Sequence, residues 1–126
     1  MTDHRSTGTR IRRQVLGDAH VDRAEAEQTE FDAAYQDLIT QSAWGHVWAS
    51  DAISMRERSM ITLALLAATG SFDEIAMHIR ATVRTGASQS DVIEAFQHVA
   101  IYAGVPKANR AIKIAKATYA EMDAER

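Results

Sequence analysis

The feature that most constrains the fold is a helical spacing of apolar residues that continues along almost the whole chain. Phe31, Tyr35 and Leu38 recur three or four positions apart and predict a helix over about residues 24–41. We find no run in which apolar and polar residues alternate, which is the pattern of a half-buried strand. The sequence therefore predicts an all-α protein.

Serine caps and glycines divide the later part of the chain into helices with short connections. A serine followed three residues later by an acidic residue, the capping-box spacing of a helix start, occurs at Ser54–Glu57, Ser71–Glu74 and Ser88–Asp91. Gly70, Gly86 and the Gly104–Pro106 segment predict where these helices end. A last helix is expected from Lys107 to about Asp123. The pattern predicts a bundle of five to six helices.

The 126 residues suit one compact domain, with 1–23 as an irregular N-terminal arm and 24–126 as the helical core. The arm contains five arginines, and a nuclear-localisation or RNA-binding role of residues 10–13 is the alternative to an arm that packs on its own or a neighbouring subunit. The body of the helix predicted over 55–69 is apolar on nearly every side, as in a buried helix or an oligomer interface. Because alanine is abundant and large apolar residues are few, we expect self-association.

The composition excludes several classes of function. Without cysteine the chain has no disulfide, thiolate nucleophile, iron–sulfur cluster or cysteine-ligated zinc. A net charge of −3 has the wrong sign for a general nucleic-acid binder. The longest apolar run, residues 63–68, is far shorter than the roughly 20 residues that a membrane span needs. With no apolar signal segment visible, we expect a cytoplasmic protein without nucleic-acid or membrane partners.

His78 is the leading candidate for a reactive side chain. It shares a helical stripe with Ile75 and Ile79, and Glu74 precedes it by one turn, a spacing at which a carboxylate can orient an imidazole. Arg80 follows it by two residues. A histidine that merely packs in the core is one alternative, and a metal site formed by Glu74 and His78 is another. Since the five histidines are scattered along the sequence, we predict no metal.

Arg58 is the second candidate, because a cation in the first turn of a helix opposes the helix dipole. If the helices on either side of Gly70 form an antiparallel hairpin, Arg58 lies opposite about residue 83. It would then lie about 7 Å along the helix axis from His78, at ~1.5 Å per residue. The alternative is a surface ion pair with Glu57 or Glu74.

Four further residues are candidates for lining a pocket. His98 and Tyr102 share one stripe of the helix that begins at Ser88. Trp44 and Trp48 lie in the expected connector after residue 41, where paired aromatic rings suit a flat ligand. Ordinary core packing is the alternative for Tyr102 and for both tryptophans.

Five segments, taken in order, resemble the 4-carboxymuconolactone decarboxylase family, which has the alkylhydroperoxidase-D-like helical fold. They are Arg13–Asp22, Trp44–Trp48, Arg58–Thr62, His78–Ala81 and Ala100–Pro106. The resemblance implies an all-α subunit of a ring, usually a hexamer. It also implies cofactor-free conversion of 4-carboxymuconolactone, a lactone with two carboxylates, to β-ketoadipate enol-lactone and carbon dioxide in protocatechuate degradation.

The resemblance also suggests roles for the candidate residues. Redox members of this fold carry a Cys-x-x-Cys pair before a histidine; aligning that histidine with His78 leaves Ser71 and Glu74 at the cysteine positions, which excludes a peroxidase-type reaction. We expect Arg58 and Arg80 to contact carboxylate and oxyanion groups, and His78 to donate a proton while Glu74 orients it. The alternatives are a related enzyme acting on another small lactone or keto acid, and a non-catalytic oligomeric binding protein.

Overall fold

The computed structural model describes residues 3–126, and over that range every regular element is helical, which confirms the all-α prediction. The described residues form seven α-helices, where five to six were predicted. They are α1 His4–Leu16, α2 Asp18–Glu27, α3 Ala33–Ile39, α4 Met55–Ala68, α5 Ile75–Thr85, α6 Gln89–Tyr102 and α7 Val105–Ala124. A π-helix, Thr40–Trp48, follows α3, and a 3-10 turn, Phe72–Glu74, precedes α5. None of the described helices is long and apolar enough to cross a membrane.

The chain divides into two compact units, one up to Ser54 and the other over Met55–Arg126. In the first unit, α1 packs against the π-helix at two glycines. A Cβ on Gly8 would collide with the backbone carbonyl of Thr40, and one on Gly45 would collide with that of His4. These two elements therefore need glycine at their contact, because their backbones touch.

The prediction of an irregular arm over residues 1–23 is wrong for its described part, which forms α1 and most of α2. The Asp3 carboxylate accepts hydrogen bonds from the backbone N–H groups of Arg5 and Ser6 and so caps α1. Ile11 and Val15, one helical turn apart, are both buried. The four arginines of α1 make this narrow apolar stripe hard to recognise in the sequence.

The single helix predicted over 24–41 is also wrong. The chain leaves the helical path between Glu27 and Ala33, where the Asp32 side chain accepts a hydrogen bond from the backbone N–H of Thr29 (2.9 Å). Phe31 is 98% exposed, so the apolar spacing that suggested the helix does not mark a core. The expected connector with the two tryptophans is the π-helix.

In the second unit, α4 packs against α5, α6 and α7 around a continuous apolar core that includes Leu63, Ile79 and Phe96. The predicted helices after residue 54 are confirmed within a few residues. The Ser88–Asp91 capping box is present. The Ser71 cap is wrong, because the Ser71 hydroxyl bonds the Thr69 hydroxyl (2.9 Å) and only a 3-10 turn follows.

Two arginines form ion pairs between the helices of this unit. Arg56 at the start of α4 binds both carboxylate oxygens of Asp91 in the first turn of α6, at 2.6 and 2.7 Å. Arg80 of α5 binds Glu121 and Glu125 near the end of α7, at 2.9 and 3.0 Å. The arginine side chains thus link helices that are distant in the sequence.

Candidate active site

His78 alone among the five histidines is buried, with 7% of its surface exposed. It lies in the middle of α5, on the face that also buries Ile75 and Ile79. This face has a strong helical periodicity of apolar residues, so the imidazole points into the interior of the second unit. A titratable ring that is shielded from water is the kind of group that enzymes use for proton transfer.

A row of buried polar residues continues from His78 along the same face of α5. Thr82 and Thr85 follow at four and seven residues, which places all three on one side of the helix. The Thr85 hydroxyl bonds the hydroxyl of buried Ser59 on α4 at 2.7 Å. The sequence analysis missed Ser59 and Thr85 as parts of this row, although the spacing of the α5 residues would have indicated it.

The Ser59–Thr85 bond confirms that α4 and α5 form the predicted antiparallel hairpin. It also sets the level of Arg58, which is half-buried immediately before Ser59. Thr85 lies seven residues after His78, so the level of the bond is about 10 Å along the axis from the imidazole, at ~1.5 Å per residue. Arg58 therefore lies on the same hairpin as His78 but somewhat farther from it than predicted.

The structure gives Arg80 other partners than the one predicted. Its guanidinium binds the carboxylates of Glu121 and Glu125, which raise the pKa of Arg80. Residues two apart on a helix do not face the same side, so Arg80 does not share the buried face of His78. A substrate carboxylate would have to displace both glutamates to reach this arginine.

Glu74 and His78 differ in their surroundings. Glu74 ends the 3-10 turn and is exposed, whereas His78 is buried within α5. Because the regular α-helix begins only at Ile75, the four-residue spacing does not by itself bring this carboxylate to the ring. An orienting role for Glu74 stays a prediction.

The four predicted pocket residues differ from His78 in their surroundings. His98 and Tyr102 are on the exposed face of α6, where their rings stack at a centroid distance of 6.0 Å, and Tyr102 is 84% exposed. Trp44 and Trp48 belong to the first unit. Both are buried there, with ring centroids 5.3 Å apart, and each is only 6% exposed. Their part in a pocket stays a prediction.

A further buried polar group in the second unit is a tyrosine hydroxyl. The hydroxyl of Tyr119, on α7, is buried beside Thr82. Burial raises the pKa of Tyr119, and the neighbouring Thr82 hydroxyl opposes that shift in part. The phenol therefore stays protonated near neutral pH and presents an O–H donor. In the sequence, Tyr119 looked like one more residue of an apolar stripe.

The second unit is a bundle of four α-helices with a buried histidine on a helical hairpin, and the chain has no cysteine. Residues 33–117 match the model of the Carboxymuconolactone decarboxylase family. The chain belongs to that family, which has the alkylhydroperoxidase-D-like all-α fold, and its enzyme class is carboxy-lyase.

Three relatives show how far this similarity extends. The 4-carboxymuconolactone decarboxylase of Acinetobacter baylyi is 34% identical over 91% of this chain and 86% of that protein. A nitrosuccinic acid decarboxylase of Metarhizium robertsii is 32% identical over 91% of this chain and 80% of its own length. A 4-carboxymuconolactone decarboxylase sequence of Pseudomonas putida is 47% identical over 38 residues, which are 30% of this chain and 79% of that sequence.

Proposed function

We propose that this protein converts 4-carboxymuconolactone to β-ketoadipate enol-lactone and carbon dioxide, as a cytoplasmic step of protocatechuate degradation. The observation that carries the proposal is the buried imidazole of His78, because the reaction needs a positioned proton donor that is shielded from solvent water. The similarity to the Acinetobacter baylyi decarboxylase over 91% of the chain supports this choice of substrate.

The substrate itself accepts the electrons of the reaction. The bond between the ring carbon and its carboxylate breaks, carbon dioxide leaves, and the electron pair moves through the ring double bond onto the lactone carbonyl oxygen. A proton then returns to carbon, and the carbonyl re-forms. Since the lactone is the electron sink, the chemistry needs no cofactor. The protein has to bind the second carboxylate, stabilise the developing oxyanion and deliver the proton.

The proton donor in this scheme is His78. Of the arginines predicted to bind anions, we assign Arg58 to the carboxylate; at Arg80 a substrate would have to displace the two glutamates that bind its guanidinium. A guanidinium binds a carboxylate through two parallel hydrogen bonds, which also fixes the orientation of the substrate. This cation should bind the carboxylate that stays, because pairing with the departing one would stabilise the ground state instead.

Nitrosuccinate is a second candidate substrate, and the Metarhizium robertsii relative is the observation that favours it. Nitrosuccinate is also a dicarboxylate, and its nitro group can accept the electron pair that decarboxylation leaves on the neighbouring carbon. One arginine that binds the remaining carboxylate and one proton donor would serve both substrates. The two candidates therefore differ in their electron acceptor and in the shape of the pocket they need.

We also propose that the protein assembles as a ring, with a hexamer as the expected size. The second unit exposes large apolar side chains that a monomer would leave in water. They are Ile61, Leu65, Val83, Ile101, Tyr102 and Val105. Size-exclusion chromatography with light scattering should give about six chains per particle. A monomer at micromolar concentration would contradict this part of the proposal.

The substrate is tested by giving the purified, chelator-treated protein each dicarboxylate and measuring the carbon dioxide released. We expect turnover of 4-carboxymuconolactone with loss of its ultraviolet absorbance, and a kcat/KM at least tenfold higher than for nitrosuccinate. A preference for nitrosuccinate would select the second candidate. Release of carbon dioxide from neither compound would contradict both.

A further inference from the structure

The first unit contains a pair of histidines that the proposed reaction does not use. His4 is the first residue of α1, and His46 lies in the π-helix. Their ring centroids are 5.7 Å apart, with 55° between the ring planes, and both residues are exposed. In the sequence the two look unrelated, and only the packing of α1 on the π-helix brings them together.

The backbone determines which nitrogen of His4 is available to a ligand. Nδ1 of His4 lies 3.1 Å from the carbonyl oxygen of Gly45. Because a carbonyl oxygen can only accept, Nδ1 carries the hydrogen, and the neutral ring presents a lone pair at Nε2. Histidines that bind metal ions in proteins usually donate their other ring N–H to a carbonyl or carboxylate in this way. His4 is thus held in the tautomer that leaves Nε2 able to coordinate.

The spacing of the rings fits one shared metal ion. At a zinc–nitrogen distance of ~2.0–2.1 Å, two imidazoles with near-tetrahedral angles at the metal have ring centres about 5 to 6 Å apart. The observed 5.7 Å is within this range.

The two histidines line an open depression that has both apolar and polar side chains. Leu38, Gln41 and Ser42 line the same depression as the two histidines. Gln41 donates its amide N–H to Asp37 at 2.7 Å, which leaves its side-chain oxygen to accept or to coordinate. Among residues 3–126, no group of three or more histidine or acidic side chains is placed to hold a metal. Any ion here would therefore complete its coordination with water.

We propose that His4 and His46 form an open, two-histidine site for a divalent transition-metal ion of the Zn²⁺ type. Imidazole suits Zn²⁺, Cu²⁺ and Ni²⁺, whereas Mg²⁺ and Ca²⁺ prefer oxygen ligands. The bound ion would join the start of α1 to the π-helix at the point where Gly45 lets the two backbones touch. This site is independent of the decarboxylation proposed above.

Isothermal titration of the untagged full chain with ZnCl₂ tests the proposal, with MgCl₂ as the comparison ion. We expect one Zn²⁺ per chain and no Mg²⁺ binding. His4→Asn is the sharpest variant, because an asparagine amide can still donate to the Gly45 carbonyl but has no counterpart of Nε2. This variant and His46→Ala should each weaken Zn²⁺ binding at least tenfold. Because either change already breaks the site, the Zn²⁺ affinity of the double variant should lie within a few fold of that of the weaker-binding single variant.

His98→Ala is the matched control, because His98 is an exposed histidine of the second unit. The Zn²⁺ affinity of this variant should equal that of the wild type. Zn²⁺ should also raise the melting temperature of the wild type but not of His46→Ala, because an ion that binds only the folded state stabilises it. The proposal is overturned if the wild type binds no Zn²⁺, or if either His4→Asn or His46→Ala binds it as tightly as the wild type does.

Discussion

The two units of this protein differ in how they hold the histidines to which we assign a function. The second unit encloses His78 within helices that pack around Leu63 and Phe96, and it leaves 7% of the residue exposed. In the first unit α1 and the π-helix are in backbone contact at Gly8 and Gly45, and His4 and His46 are exposed on the surface. The two roles that we propose for these histidines follow the difference in burial. A shielded ring suits proton transfer to a substrate, and an exposed pair suits a metal ion.

The largest stability effect should come from the core of the second unit. Leu63 is fully buried on α4, whereas Lys113 on α7 is exposed. Leu63→Ala should lower the free energy of unfolding by about 2–5 kcal/mol, because it leaves a cavity. Lys113→Ala is the control and should change it by no more than about 0.5 kcal/mol. Urea unfolding of both variants at one protein concentration measures the difference, and equal losses would contradict the packing of α4.

The corresponding weak point of the first unit is its glycine contact. Gly45→Ala would place a Cβ against the His4 carbonyl, and the shift of α1 should cost about 1–3 kcal/mol. Gln14→Ala, on the exposed side of α1, is the control and should be nearly neutral. Circular dichroism during thermal unfolding gives both values. If Gly45→Ala melts like the control, the backbones of α1 and the π-helix do not touch.

A smaller effect is expected from the hydroxyl pair that sets the register of the α4–α5 hairpin. Replacing Ser59 by Ala or Thr85 by Val leaves one buried hydroxyl without its partner, and replacing both removes the mismatch. The two single losses should therefore sum to more than the loss in the double variant, by about 1 kcal/mol. Strictly additive losses in urea unfolding would show that the two hydroxyls do not interact.

The smallest effect concerns the ion pair that joins α4 and α6. Hydrogen bonds from Arg56 and Ser88 hold the pKa of Asp91 well below its usual range. Its stabilising contribution is therefore complete above the usual carboxyl pKa of about 4 and is lost as the pH falls toward the depressed value.

The melting temperature of the wild type should exceed that of Asp91→Asn at pH 6, and the difference should shrink toward pH 2. Asp73→Asn, which alters an exposed carboxylate of the same unit, is the control for the general effect of acid. A difference that stays constant with pH would contradict the ion pair as its cause.

Features of the structure that depend on residues close together in the sequence could be predicted, whereas those that depend on distant residues could not. The buried face of α5 with His78 and the Ser88–Asp91 cap follow from local spacing, and both were predicted correctly. The helical nature of residues 4–16 was missed, because its apolar stripe is only a few residues wide. At Phe31 the spacing was present, but the side chain is exposed and no core forms there.

In the candidate site, too, features set by local spacing were predictable and long-range contacts were not. Burial of His78 follows from the periodicity of α5, which the sequence displays. The partners of Arg80 lie more than 40 residues away on α7, and no local pattern connects them. The contact of His4 with Gly45 spans 41 positions and depends on the packing of α1 on the π-helix. Interactions of this range have no signature in one sequence.

The most direct test of the central claim is the turnover of His78→Gln with 4-carboxymuconolactone, compared with the wild type from pH 5 to pH 9. Loss of a positioned proton donor should lower kcat by about 10²–10⁴-fold and remove the part of the pH profile that the imidazole causes. An unchanged circular dichroism spectrum and oligomeric state would establish that the variant is folded. Near-full turnover with an unchanged pH profile would contradict the assignment of His78 as the proton donor.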